Sequence, residues 1–512
     1  QAEVQRLRDD INRLKGEQGK PDIKANVPKP PTDHSSEKER RKPRKRHKNS
    51  KKATIKIDRE EVVKVDQEIL PADAEFKGYD EVVVQDIILK TDNVRFRKEK
   101  YYAASTGKSY LAQLPPGYEG QYGPGVKALI PALYFGMGTS EPKIVEFLEE
   151  AGIQISEGQV SNLLIQDQEV FHAEKDAVYE AGLGSSPWQH TDDTQTRVNG
   201  QNQHCHVVCN PVYTFYETTP NKDRLSVLDV LRNGCERRFR LNQEALGLLE
   251  NVSLSKATRQ VLQAWSSETE MDETAFQQNL ENLLPKLGQQ QRKVITDAAA
   301  IAAYHAESGW PVLKALVCDD APQFNWLTEG MSLCWIHEGR PYKKLIPVVP
   351  LHRQLLDDFL KCFWDYYDEL LEFKKQPTPE KSARLEADFD HLFATRTGYD
   401  DLDNRIAKTQ AKKASLLLVL KYPELPLHNN PAELGARQRV RKRDVSFGPR
   451  TQTGRKAWDT FMTLAETTKK LDVSFYAYLR DRITATHAIP PLAELVTKAA
   501  KELNLGWSWA AA

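Results

Sequence analysis

Hydrophobic positions change their period several times along this chain, and each change marks a boundary. Val4, Leu7, Ile11 and Leu14 recur at spacings of three, four and three among charged residues, the seam of a coiled coil two heptads long. Residues 1–18 therefore read as a coiled-coil remnant, although a lone amphipathic helix has the same pattern. Over 19–53 large apolar residues nearly vanish among Pro, Lys, Arg and Ser, which predicts a disordered linker. Residues 54–120 alternate in short β-rich runs, among them Glu81-Val82-Val83-Val84 and Val94-Arg95-Phe96-Arg97, and predict a small β module. Over 121–180 the period turns helical. Ser140 can cap a helix with Pro142 in its first turn and Gly152 past its end, and Ser156 with Gln159 forms a capping box for the next. Helix, Gly-containing turn, helix is the order of a helix-turn-helix DNA reader, whose last helix would present Gln159, Ser161 and Asn162 to a major groove; a plain helical linker fits equally.

From Trp188 the texture becomes that of strands. His190 to Arg197 is followed by the turn Asn199-Gly200, then by strands at His204–Cys209 and Tyr213–Thr218 and a helix from Asp223 to Leu231. A helical insertion over 235–310 precedes a buried-type strand, Val312 to Cys318, that ends in Asp319-Asp320; Met331 to Ile336 reads as another strand. Three strands, a helix and further strands, with acids at strand ends, is the order of a ribonuclease-H-like sheet. That core would occupy 185–344. A helical insertion over 345–427 carries Leu356, Phe359, Phe363, Tyr366, Tyr367, Leu370 and Phe373 on one face, as core packing. The core resumes over 428–490 with a helix starting near Asn429-Asn430-Pro431-Ala432-Glu433 and another from Lys456 to Lys470, before a tail at 491–512. The expected fold is thus α/β: a ribonuclease-H-like catalytic core with helical insertions, preceded by a small β module and a helix-turn-helix region.

Charge sharpens this picture. The chain has 512 residues and 72 basic against 72 acidic side chains, a net charge of zero. Its first 60 residues nevertheless hold 19 Lys and Arg against 10 Asp and Glu, with Arg40, Arg41, Lys42, Arg44, Lys45 and Arg46 in the densest run. A second basic block, 435–456, sets eight Lys and Arg against Asp444. Such blocks suit phosphate backbones, and also occur as solvated tails and helix faces. Six cysteines without a regular framework fit a reducing cytoplasm, and no apolar run approaches membrane-spanning length. Opening on Gln1, the sequence is expected to be preceded by further residues.

Phosphodiester cleavage needs charge stabilisation on both the attacking and the leaving oxygen, which two divalent cations about 4 Å apart provide. Mg2+ prefers carboxylates and keeps several waters, so about three converging acids suffice. Asp192, Asp319 and Glu433 would converge in a ribonuclease-H-like sheet. Each also has a duller role open to it: Asp192 as a turn-adjacent surface residue, Asp319 as a strand terminator, Glu433 as the capping-box partner of Asn430.

The motif His190-Thr191-Asp192-Asp193-Thr194 resembles the first-aspartate motif of the insertion sequence 66 family of bacterial DDE transposases. Leu316-Val317-Cys318-Asp319 with Cys334-Trp335-Ile336-His337 and Arg340 resembles its second-aspartate segment. Asn429 to Glu433, Arg441-Lys442-Arg443, Phe447-Gly448, Gly454 and Tyr476 to Arg480 resemble its glutamate segment and C-terminus. The resemblance implies a cut-and-join reaction, in which a 3′-hydroxyl freed at the element's ends attacks target DNA. It implies Asp192, Asp319 and Glu433 as ligands of two Mg2+ or Mn2+ ions, with Cys334, His337 and Arg340 as active-site neighbours. Arg437, Arg439, Arg441, Lys442 and Arg443 are expected on phosphates beside the site. Expected partners are double-stranded DNA, as terminal inverted repeats and target, further copies of the chain, and small accessory proteins; no membrane is expected, and the place is the cytoplasm, at the nucleoid.

The chain departs from the family in places. Residues 54–114 contain no cysteine where a four-cysteine zinc module is usual, so thiolate zinc ligation there is excluded. The interval between the two aspartates is long, His428 stands where an acid is common, and Leu434 where Arg is usual. Cys205 and Cys209 lie four residues apart on a strand, about 13 Å, too far for one ion. Cys334 and His337 have ligand spacing but no second pair, so no zinc is expected. The rival readings are a catalytically silent DNA-binding protein derived from a transposase, and another ribonuclease-H-like nuclease.

Overall fold

The structure, a computed structural model, describes residues 57–66, 70–71 and 74–510. The coiled-coil pattern and the whole of the basic linker, with Arg40, Arg41, Lys42, Arg44, Lys45 and Arg46, lie outside the described residues. Within the expected β module the described residues form only β1 (Lys100–Ala103) and β2 (Lys108–Leu111), an antiparallel pair. The runs Glu81–Val84 and Val94–Arg97 are not strands. Val82, Val84, Val94 and Phe96 are exposed, with no opposing layer to bury an alternating face, and two strands alone supply no core.

Helices follow where the capping residues predict them, although the Ser140 side chain makes no cap hydrogen bond. They are α1 (Pro124–Pro131), α2 (Glu141–Glu150), α3 (Glu157–Ile165) and α4 (Glu169–Gly184). Gly152, at φ +83°, turns the chain after α2, and Ser156 caps α3 by accepting the Gln159 N–H at 3.3 Å. Val160 and Leu164, four apart, are the buried face of α3.

The central sheet has five strands. β3 (Trp188–Val198), β4 (Gln201–Asn210) and β5 (Tyr213–Thr219) form an antiparallel meander, its first turn made by Asn199 and Gly200 at φ +50° and +76°. β6 (Ala315–Cys318) and β7 (Gly330–Leu333) add in parallel on the far side of β3, giving the order β5-β4-β3-β6-β7. Between β5 and β6 run α5 (Arg224–Leu231), capped by Asp223, then the inserted helices, ending in α6 (Gln289–His305), whose residues 295–304 are all buried. β7 is shorter than expected. It stops at Leu333 because the next residues leave the ladder: Cys334 becomes the N-cap of α7 (Trp335–Lys343), and the Trp335 N–H is taken by Leu427 O at 2.9 Å.

The expected aromatic face is buried as predicted on α8 (Pro350–Lys375), which joins α9 (Pro379–Phe393) and α10 (Asp400–Gln410) in a second apolar cluster around Trp335. Two long helices and a short one complete the core: α11 (Asn430–Ser446), α12 (Gln452–Lys470) and the nine-residue α13 (Phe475–Ile483). The expected C-terminal tail holds a further helix, α14 (Leu492–Glu502), whose Leu492, Val496 and Ala500 recur every four residues and bury against α4. Among the described residues no helix is long and apolar enough to cross a membrane.

The edge of the sheet at β5 is closed by side chains. Thr467 Oγ1, Thr463 Oγ1 and Asp459 Oδ2 of α12 accept the N–H groups of Thr214, Tyr216 and Thr218 at 3.2, 3.0 and 3.0 Å. Four helical residues rise about 6 Å and two strand residues about 6.7 Å, so one stripe of α12 matches one row of β5 donors. An edge that would otherwise template pairing with another chain is thereby satisfied internally.

Candidate active site

The parallel pairing of β3 and β6 fixes the two aspartates. Trp188, Gln189 and His190 stand opposite Ala315, Leu316 and Val317. Two residues further along each strand, Asp192 is level with Asp319 on adjacent strands, which lie about 4.8 Å apart. Aligned positions share a face, so both carboxylates point to the side that carries His190.

Glu433 arrives on that side because α11 is clamped alongside β3 and runs in the same direction. Asn429, its N-cap, accepts from His190 Nδ1 at 3.0 Å and donates to Thr191 O at 2.8 Å. Tyr216 donates to Gly435 O at 3.0 Å, the Arg443 guanidinium donates to Gln195 O, and the Asn199 N–H donates to Pro449 O at 3.0 Å. A side chain at Gly435 would lie 2.8 Å from Val207, the residue paired with Asp192, so only glycine lets the helix come this close. From Asn429 to Glu433 is one helical turn, about 6 Å; from His190 to Asp192 is two strand residues, about 6.6 Å. The three acids therefore stand at about one height on one face, near enough for the charges of Asp319 and Glu433 to act on Asp192.

Their surroundings divide each aspartate pair in two. Asp193 is held by Lys222 at 3.5 Å and Gln323 at 2.8 Å, and Asp320 by Lys412 at 2.6 Å. Asp192 and Asp319 accept only backbone N–H groups, from Asp193 at 2.8 Å and Ala321 at 3.2 Å, and no Lys or Arg pairs with either among the described residues. Burial, assisted by the charges of Asp319, Asp193 and Glu433, pushes the Asp192 carboxyl up to about 7. Burial also raises Asp319, opposed by His337. Glu433 Oε1 lies 3.4 Å from His337 Nε2 and Oε2 lies 3.3 Å from the Arg340 guanidinium, so its carboxylate is not folded back onto its own helix as a capping-box partner. Cys334 joins the same corner, its Sγ accepting the Asn429 N–H at 3.3 Å.

The basic stripe of α11 splits by helical phase. Ala432, Gly435, Ala436, Arg439 and Lys442 recur at three and four residues and face the protein. Arg439 is wholly buried, paired with Asp459 at 3.1 Å, donating to Thr218 Oγ1 at 3.0 Å and lying over the Trp458 ring. Lys442 sits 3.0 Å above the Tyr134 ring and donates to Thr139 O, and burial pushes its ammonium down to about 7. The expectation of phosphate contacts fails for these two, because alternate residues of a helix cannot all face one partner. Arg437 and Arg441 are exposed and Arg443 half-buried. In α3, Gln159, Ser161 and Asn162 are half-buried, far from the open row expected of a groove reader. Cys205 and Cys209 are buried in β4 as small apolar residues.

Two residues of the site had no role assigned from sequence. Asn429 and His190 belong to the motifs quoted above, and each is buried, polar and paired with the other. His190 is held neutral by burial. The available signal was a polar residue one turn before Glu433 and another two before Asp192.

No family model matches the chain. It is 33% identical over 323 residues to the uncharacterized protein y4jO of Sinorhizobium fredii (strain NBRC 101917 / NGR234), across 62% of this chain and 98% of that protein. At that identity, over almost the whole length of the relative, the chain belongs to the same family as y4jO.

Proposed function

We propose that this chain is a DNA transposase of the DDE type, similar to the insertion sequence 66 family, with a ribonuclease-H-like core. The observation that carries the reading is the placement of Asp192, Asp319 and Glu433 on one face, near enough for their charges to act on Asp192, with no Lys or Arg paired to either aspartate among the described residues while their neighbours Asp193 and Asp320 are paired. The mixed sheet, three antiparallel strands followed by two parallel ones, supports it.

The residues fit a pair of divalent cations of the magnesium class. Oxygen donors, surplus negative charge and a raised proton affinity at Asp192 are what such ions neutralise. When bound, the ions would stabilise charge on the attacking and leaving oxygens of a phosphodiester. The chain's own part is positioning. Asn429 locks α11 to β3 and so sets Glu433 against Asp192; Arg340 and His337 hold the two Glu433 oxygens; Arg437 and Arg441 stand exposed further along α11, where a phosphate backbone could be gripped.

The test is end cleavage and strand transfer with purified protein, Mg2+ or Mn2+, and DNA carrying the terminal inverted repeats that flank its gene. Asp192→Asn is expected to abolish both reactions, at least about 10³-fold, since metal-borne charge stabilisation is worth several kcal/mol, and to leave DNA binding intact. Undiminished cleavage by the variant would remove Asp192 from the chemistry. DNA binding without cleavage by the wild type would favour a catalytically silent DNA-binding protein.

A further inference from the structure

We propose that Cys334, His337 and Glu433 form a binding site for a thiophilic divalent cation of the zinc class, beside the carboxylate pair of β3 and β6. One ligand atom from each lies within 4.8 Å of the other two. Two of the three come from one short segment: Cys334 is the N-cap of α7 and His337 stands one turn on, a spacing that by itself offers only half a site. The fold brings the third from α11, almost a hundred residues downstream.

The separations agree with tetrahedral coordination. Zinc bonds of about 2.0–2.1 Å to nitrogen and oxygen and 2.3 Å to sulfur place N and O ligands about 3.4 Å apart, and sulfur about 3.6 Å from either. His337 Nε2 and Glu433 Oε1 already stand 3.4 Å apart, so sulfur, within 4.8 Å of both, has to close by no more than about 1.2 Å, a side-chain rotation. The frame around the ligands is rigid. The Cys334 N–H is tied to Cys318 O at 3.1 Å, its Sγ accepts the Asn429 N–H at 3.3 Å, and the adjacent Trp335 is buried in the second apolar cluster. Such an amide donor stabilises a thiolate ligand. Arg340 holds the other Glu433 oxygen at 3.3 Å, leaving Oε1 for the ion.

Sulfur and imidazole select zinc, cobalt and copper over magnesium, so this set differs in chemistry from the all-oxygen trio although it shares Glu433. Three protein ligands leave the fourth position for solvent. His337 Nδ1 is buried with no acceptor, so the second shell is incomplete and binding is weaker than at four-ligand structural sites. With zinc bound, Glu433 is withdrawn from Asp192 and Asp319, which makes zinc an inhibitor of the magnesium-dependent reaction; this consequence, and not the site itself, rests on the transposase reading.

Titration of the reduced, full chain with Co2+ tests the site directly. The expected result is one cobalt per chain, with the visible bands of tetrahedral coordination and a near-ultraviolet thiolate-to-cobalt charge-transfer band, all bleached by Zn2+. Cys334→Ser removes the charge-transfer band, His337→Gln and Glu433→Gln each weaken binding at least about ten-fold, and Cys235→Ser, at an exposed thiol outside the cluster, leaves the spectrum unchanged. Should Cys334→Ser not fold, the His337 and Glu433 variants carry the comparison. No charge-transfer band in the wild type, or one that survives Cys334→Ser or is indifferent to His337→Gln and Glu433→Gln, overturns the proposal. Cleavage of DNA is read separately, so an intact cobalt spectrum without cleavage sinks the transposase reading alone, and cleavage without the spectrum sinks the site alone.

Discussion

Asp459 and Asp192 are both acids that this fold takes out of water against the same sheet, and they are treated in opposite ways. Asp459, on α12, receives Arg439 at 3.1 Å, the Thr218 hydroxyl at 2.8 Å and the Thr218 N–H at 3.0 Å. Burial pushes its carboxyl up and Arg439 opposes the shift. Asp192, on β3, receives one backbone N–H, while its acidic neighbours add to the effect of burial. The first arrangement uses charge to join α11, α12 and β5. In the second the charge is left uncompensated, a cost in stability that has an explanation if something binds there. Both centres touch α11, so a single helix links a charge-paired site to an uncompensated one.

The strongest way to break this comparison is to remove the counter-charge from the closed site. Arg439→Met is expected to cost about 3–5 kcal/mol in denaturant unfolding, because Asp459 then stays buried and unpaired; the double variant with Asp459→Asn recovers part of the loss. A cost no larger than that of an exposed arginine would mean that the Asp459 site is not held by charge.

Cation binding at the open site is the next largest effect. If the proposed site binds Mg2+, the ion at ten to a hundred times its dissociation constant is expected to stabilise the folded chain by about 1.4 to 2.7 kcal/mol, visible as a higher Tm in the wild type and absent in Asp192→Asn; no rise in Tm would speak against a Mg2+ site there. The same variant sharpens the comparison without metal. An acid whose folded pKa is raised, here to about 7, binds its proton more tightly when folded, so the wild type loses stability as pH rises from about 4 to 7 and regains it on acidification. Asp192→Asn flattens that window and is expected to be more stable at pH 8, on the order of 2 kcal/mol, in chelator-treated protein. A variant less stable than the wild type under those conditions would contradict the account of Asp192 as uncompensated.

The smallest effects belong to the outer face of α11. Arg437→Ala and Arg441→Ala are expected to leave unfolding within about 0.5 kcal/mol. Each should weaken DNA binding across sequences and lower the salt slope by about one. An unchanged salt slope would assign these arginines to solvent.

How far sequence reading reached varies with the kind of information each feature needs. The strands at His204–Cys209 and Tyr213–Thr218, the Asn199-Gly200 turn, the cap at Ser156, the helix starting at Asp223 and the aromatic face of α8 are local, and they were legible because period and capping chemistry act over a few residues. Two expectations failed for the opposite reason. Val82 to Val84 has the composition of a strand but no neighbour to pair with, and the tail beyond 491 folds as α14 because α4 offers an apolar face.

By itself the sequence determined which residues could be candidates for chemistry: three acids, a Cys334 and His337 one turn apart, and a run of arginines at unequal helical phase. Only the tertiary structure decided which of them meet. The β3 and β6 register puts Asp192 level with Asp319 and Asp193 level with Asp320, the Asn429 clamp sets α11 and Glu433 on the face of the first pair and beside the Cys334 corner, and the rotation of α11 buries Arg439 while exposing Arg437. Register, close approach and helix rotation depend on contacts between segments a hundred or more residues apart, and no local pattern encodes these.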